Sequence, residues 1–282
     1  MRISAVVVLF IAGLIIRSLA TNANLQWSVV AQYMTDPAIL HGVVNTLVLT
    51  VASQLIALVL GFIAAYCGYS ANPVLKYASQ FYIWLFRGTP LLVQLLIWYN
   101  AALLFPRLSI GIPFTSIDAG VQTNVVISGF TAALLGLGLN EGAYMAEIIR
   151  GGILGVPRGQ LEAAMTLGMP RPQAFRRMVL PQTIRLIIPP TGNQFIGLLK
   201  ASSLVSAIGG GDLLTKAELV YAENFRVVPL LIVACLWYLI LVSVASIGQH
   251  YLERAYDKDR TRGHSVLGSI GSHLSLRRMS RS

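Results

Sequence analysis

Residues 42–68 and 227–249 contain no charged side chain at all. A helix crossing the hydrocarbon core of a bilayer needs about 20 mainly apolar residues, and both stretches meet that length. Three more come close. Residues 77–105 carry one charge, Arg87; residues 123–140 are uncharged and run into Glu141; residues 183–208 hold Arg185 and Lys200 near their ends. Five such stretches predict an all-α, polytopic membrane bundle. Composition agrees, since only 11% of the residues are charged, against about 25% in soluble domains.

The N-terminus allows two readings. After Arg2, residues 3–16 are apolar, which suits a signal-peptide core or a sixth helix lengthened to residue 20 with Arg17 snorkelling. The uncleaved helix over 1–20 is the expectation, and either reading leaves 21–41 outside. The loops then alternate, with 69–76, 147–182 and the tail inside and 106–122 and 209–226 outside. Sixteen Lys and Arg fall inside and four outside, as retention of basic residues on the cytoplasmic side requires. This placement explains a net charge of +10 without a nucleic-acid partner. Residues 251–282, rich in Ser, Gly and Arg, predict a mostly disordered cytoplasmic tail, with anionic lipid headgroups in reach of its basic residues. Cys67 and Cys235 both lie in apolar stretches, which argues against a disulfide framework.

The cytoplasmic segment 150–182 is longer than a connector needs to be. Gly159-Gln160-Leu161-Glu162-Ala163-Ala164-Met165-Thr166-Leu167-Gly168 predicts a short helix outside the membrane. Glu162 is expected in its first turn, where a carboxylate suits the helix dipole. Ala163 and Ala164 leave room for another surface to approach. Gly168 suits the helix end, and Pro170 and Pro172 prevent continuation. The residues alone fit a helix resting on lipid headgroups as well as one docked to a protein.

The order Glu162-Ala163-Ala164, Gly168, Met178 and Leu180-Pro181 resembles the EAA loop of ABC-importer permease subunits, with Met178 in place of the usual isoleucine. Three further segments are similar to permeases for polar amino acids: Arg87-Gly88-Thr89-Pro90-Leu91-Leu92-Val93-Gln94-Leu95, then 142–152 (GAYMAEIIRGG), then Leu199-Lys200-Ala201-Ser202-Ser203-Leu204-Val205. The resemblance covers most of 42–250 and implies a MetI-like permease fold in the bacterial inner membrane, with the C-terminus cytoplasmic. It implies an ATP-binding subunit docked at Gly159, Glu162, Ala163, Ala164 and Gly168. A second permease subunit, identical or paralogous, and an extracytoplasmic solute-binding protein would complete an importer that moves a polar amino acid by alternating access.

The substrate path has two candidate parts. Residues 188–194 contain Pro189, Pro190, Thr191, Gly192, Asn193 and Gln194, and predict a broken helix whose unpaired backbone groups could ligate a polar solute; a packing kink is the plainer use. Glu141, with Asn140 beside it, is a carboxylate at the end of an uncharged span and so a functional candidate, unless it is merely solvated at the interface. Glu147 and Arg150 sit i, i+3 and predict a local ion pair. Arg87 reads as an interfacial anchor, Tyr82 as part of an aromatic belt, and Gly136 and Gly138 as points of close packing. No catalytic residue or cofactor is expected. The chain has no Gly-Lys pair and hence no Walker A loop, and its four histidines share no metal-ligand spacing. An ion-coupled secondary transporter is the alternative to an ATP-driven permease. It would call for inverted repeats and more intramembrane acidic groups than Glu141.

Overall fold

The computed structural model describes residues 10–11, 13–14, 17–18, 20–111 and 118–279; most of the N-terminal stretch 3–16 lies outside these. The helices are α1 (Trp27–Tyr33), α2 (Pro37–Gly68), α3 (Pro73–Gly88), α4 (Leu91–Tyr99), α5 (Ala101–Leu104), α6 (Thr123–Val126), α7 (Gly129–Leu154), α8 (Arg158–Thr166), α9 (Arg171–Ala174), α10 (Leu180–Ala201), α11 (Leu213–Asn224) and α12 (Val227–Met279). By length and composition α2 and the part of α12 at Val227–Tyr256 can cross a membrane, and α3 with α4 makes a third span if counted together. The five core spans expected from the sequence differ in how apolar they are. Helices α7 and α10 are long enough, with 26 and 22 residues, but Asn140, Glu141, Glu147 and the Pro189–Gln194 region make them more polar than α2 or α12.

Other boundaries also shift. The first span begins at Pro37, five residues before the uncharged stretch, because Asp36 accepts from the amide of Ala38 and caps it. The expected single span at 77–105 is broken at Thr89-Pro90, where α3 and α4 meet at a 103° bend. Proline supplies no amide and pushes its predecessor out of helical geometry; Thr89 is extended. The outer segment 106–122 is not plain loop. Arg107–Gly111 (β1) pairs antiparallel with Asp118–Gln122 (β2), Arg107 opposite Gln122. The tail read as disordered continues as helix to Met279. Extending a formed helix costs far less than nucleating one, and α12 is already formed by its apolar half.

Contacts divide the chain into two units. In Met1–Ala52, Leu91–Leu137 and Leu199–Leu241, the core gathers Val29 and Val30 of α1, Ile39 and Val43 of α2, Leu213 and Ala217 of α11, and Leu230 and Val233 of α12. Trp237 Nε1 donates to Met34 O at 3.0 Å and Asn224 Nδ2 to Tyr33 Oη at 3.1 Å, which fixes α1 against this core. Asp212, fully buried, caps α11 by accepting from the amides of Leu214 and Thr215 and from the Thr215 hydroxyl. Burial nevertheless pushes its carboxyl above the ordinary range. Asn45 Nδ2 donates to Gly211 O at 3.0 Å, and Thr46 Oγ1 accepts from Leu213 N at 2.9 Å. These are the long-range bonds expected of polar groups inside spans.

The second unit comprises Ser53–Pro90, Gly138–Leu198 and Val242–Ser282. Here α2 packs on α7 through glycines. A Cβ on Gly61 would lie 2.7 Å from Met145 Cβ and 3.0 Å from Ala146 N, and one on Gly138 would lie 2.9 Å from Ile56 Cγ2. Tyr82 does not belong to an interfacial belt. Its hydroxyl donates to Leu139 O at 2.7 Å and ties α3 to α7, and Ser79 Oγ donates to Ala64 O at 2.7 Å and ties α3 to α2.

Gly61→Leu is expected to lower the melting temperature of the solubilised protein, since overpacking a tight contact typically costs about 1–3 kcal/mol. Gly151→Ala, where an added Cβ meets nothing within 4 Å, should leave it unchanged in the same melt.

Candidate functional site

The short helix expected in 150–182 forms where the sequence places it. Helix α8 starts at Arg158, with Pro157 before it as N-cap. That start lies one residue earlier than expected and moves Glu162 just beyond the first turn, which holds no acidic residue. The dipole argument for Glu162 therefore fails, because the effect fades within that turn. The helix ends in a Schellman arrangement: Gly168 N donates to Met165 O at 2.9 Å and Met169 N to Ala164 O at 3.1 Å. Gly168 takes φ +86°, a conformation that costs a residue with a Cβ about 1–2 kcal/mol.

The faces of α8 divide its predicted residues. Ala164 is buried, whereas Gly159, Glu162 and Ala163 are exposed. No atom outside the immediate backbone lies within 4 Å of a Cβ built on Gly159 or Gly168, so both ends of the helix are open. A cleft of about 470 Å³ runs beside it, lined by Tyr69, Pro157, Leu161, Glu162, Met165 and Phe175 among others. Beyond α9, Phe175–Val179 forms a π-helical turn, the irregularity most often found at functional positions. Gln182, in the first turn of α10, donates to Gln160 Oε1 of α8 and, at 2.8 Å, to Met178 O. The extramembrane helix is thus fastened by side chains to the membrane helix that follows it.

That membrane helix departs from expectation. Residues 188–194 do not break; α10 is helical from Leu180 to Ala201 with Pro189 and Pro190 inside it. The prolines remove the two helical amides that would reach back to Arg185 and Leu186. The turn is reinforced locally, because Thr191 Oγ1 donates to Ile187 O at 2.7 Å. The backbone is weakened at this point without being opened.

Two of the predicted pathway groups come together. Glu141 of α7 is 6% exposed, and the Gln194 side chain of α10 lies beside its carboxylate. Glu141 Oε1 has no hydrogen-bond partner, a costly state for a buried oxygen. A carboxylate that is buried and only half satisfied is suited to receive a cationic or polar group. The other predicted members are placed differently. Asn140 Nδ2 donates to Phe86 O at 2.9 Å, Thr191 serves its own helix, Pro190 is half-buried and Asn193 is exposed.

Sequence reasoning underrated Arg87. It is no simple anchor: its guanidinium lies 5.2 Å from the centroid of the Tyr144 ring and 3.8 Å from Glu147 Oε2. Glu147 also holds Arg150, at 2.6 Å, as its i, i+3 spacing predicts. The only signal that could have found the link to Arg87 is the common cytoplasmic level of the two segments.

Comparison with known proteins bears on this arrangement. The family described as binding-protein-dependent transport system inner membrane component matches residues 57–258. An arginine transport system permease protein of Corynebacterium glutamicum is 41% identical over 260 residues, covering 92% of this chain and 80% of that protein. An L-cystine transport system permease protein of Bacillus subtilis is 35% identical over 242 residues, covering 86% and 95%. Among solved structures, an amino acid ABC transporter with histidines aligns with a TM-score of 0.66 at 36% identity, over 78% of this chain and 94% of that one. The MetNI methionine ABC transporter aligns with a TM-score of 0.62 at 19% identity, over 78% and 96%, a likeness of fold alone.

Replacing Gly168 with valine is expected to undo the ending of α8. Amide exchange across residues 161–169 should rise at least about fivefold, the factor that corresponds to the lower limit of the left-handed penalty. Exchange in α2 should not change.

Proposed function

The chain belongs to the family of binding-protein-dependent transport system inner membrane components, and from that membership we propose that it is the permease subunit of an ATP-driven importer for a polar amino acid. It is a helical inner-membrane component without an ATPase site of its own. ATP hydrolysis resides on a separate ATP-binding subunit, and a solute-binding protein delivers the substrate. The observation that carries the mechanical reading is the fastening of α8 to α10 through Gln160 and Gln182, on the same helix whose Gln194 meets Glu141.

In this reading Gly159, Glu162, Ala163 and Gly168 receive the ATP-binding subunit on the cytoplasmic side, while buried Ala164, expected from the sequence to join them, seats α8 on its own chain. Movement of that subunit displaces α8 and, through Gln182 and Pro181, drives α10. Glu141 accepts the α-ammonium or cationic side chain of the substrate, with Gln194 orienting the carboxylate and with Asn140, Pro190, Thr191 and Asn193 lining the route. The relative named for arginine transport supports a substrate of that charge. A second permease subunit forms the other wall of the pathway. The basic inner loops support a cytoplasmic C-terminus by the positive-inside rule.

Reconstitution with the ATP-binding subunit and binding protein in proteoliposomes tests the reading. Gly168→Asp is expected to abolish ATP-driven uptake while the protein remains in the membrane; undiminished uptake would overturn the docking assignment. Glu141→Gln is expected to reduce uptake at least about tenfold, since a hydrogen bond to a charged group contributes about 1.5–3 kcal/mol. Uptake that follows a sodium or proton gradient without nucleotide would refute the importer altogether.

A further inference from the structure

We propose that Gln249 is a positioning residue for transport, whose side-chain amide holds the double-proline joint of α10 and so sets Gln194 against Glu141. The inference rests on the reading of Glu141 and Gln194 as pathway groups, but it is carried by a different set of contacts.

Helix α10 has fixed points on either side of the joint. At its start Gln182 is bound to Gln160 of α8. Twelve residues on, the Gln194 side chain lies beside the Glu141 carboxylate of α7. Between them Pro189 and Pro190 delete two consecutive helical hydrogen bonds. Such a deletion is where helices kink, so a displacement entering at Gln182 would be absorbed at the joint instead of reaching Gln194. The joint is nevertheless helical; Thr191 supports it from within the helix, and one side chain reaches it from outside.

Gln249 of α12 occupies that place. Its Nε2 lies 3.4 Å from Pro189 O and 2.8 Å from Glu253 Oε1. The amide group has two hydrogens, one for each acceptor: one grips the joint and the other fixes the rotamer to α12, one turn on. The side chain can reach the α10 backbone because Gly192 leaves room for it. A Cβ at Gly192 would lie 2.9 Å from Gln249 Cγ and 3.0 Å from its Cδ. Gly192, read from the sequence as part of a break, thus serves the approach of a neighbouring side chain. In a span that is uncharged from Val227 to Gln249 and largely exposed, this side chain has a backbone partner on another helix at its least regular turn. Gln249 therefore acts as a splint: it lets α10 transmit motion through a turn that its own amides cannot support.

The test uses the permease assembled with its ATP-binding subunit and binding protein. Q249L keeps the bulk and removes the donor. Substrate taken up per ATP hydrolysed should fall about fivefold, the factor for one neutral hydrogen bond. Amide exchange over residues 191–198 should rise by a similar factor, while the ATPase rate holds. Q249N, which keeps an amide withdrawn by one methylene, should change both readings in the same direction and serves if Q249L fails to reach the membrane. The double variant P189A/P190A restores both helical amides, and on that background Q249L should add no further loss of exchange protection. Unchanged exchange in Q249L and Q249N, or an equal rise with and without the prolines, would overturn the proposal. Normal uptake by Glu141→Gln together with a raised exchange in Q249L would remove the pathway reading and leave the splint standing.

Discussion

A membrane helix can pass on a push only if its backbone hydrogen bonds are closed along the whole distance, because lipid offers no replacement partners. Helix α10 places that constraint under strain. It begins beside α8, runs from Leu180 to Ala201, and carries two adjacent prolines at its middle. Its continuity makes the Gln160–Gln182 contact and the Gln194–Glu141 contact parts of one device instead of two unrelated bonds. The Thr191 hydroxyl and the Gln249 amide both act on that turn, one from within the helix and one from a neighbour.

The contact between α3 and α7 is organised by a single carboxylate. Glu147 takes a bidentate contact from Arg150 and a longer one from Arg87, so α3 and α7 share a centre with one negative and two positive groups. These side chains are partly solvated, and exposed pairs contribute little to stability. Their geometric effect is larger: together with the Tyr82–Leu139 bond they set how α3 lies along α7, next to the segment that holds Glu141.

What the sequence disclosed followed from the range of the interactions involved. The end of α8 at Gly168 and the Glu147–Arg150 pair are local, decided within six residues, and both were readable. Spans α2 and α12 were readable because the absence of charge over a membrane thickness has few other meanings. The Pro189-Pro190 turn was misread as a break, since the side chain that reaches it comes from residue 249 and no local pattern announces it. Thr89-Pro90, where the chain does bend, looked milder than a double proline. Arg87 lacked a visible partner for the same reason, with Glu147 sixty residues away. The β1–β2 hairpin lay in a segment too short and polar to give a period-two signal. Of the pathway candidates, only Glu141 and Gln194 meet; proximity in sequence had grouped Asn140, Thr191 and Asn193 with them.

The glycine-lined face between α2 and α7 has a mechanical consequence. Where Met145 seats against Gly61 and Ile56 against Gly138, the helices interlock at the density of a crystal and cannot slide without a clash. Glu141 is mounted on that interlocked pair. In the proposed transport reading the carboxylate is therefore on the stator, and the alternation around it falls to α10 as the rotor.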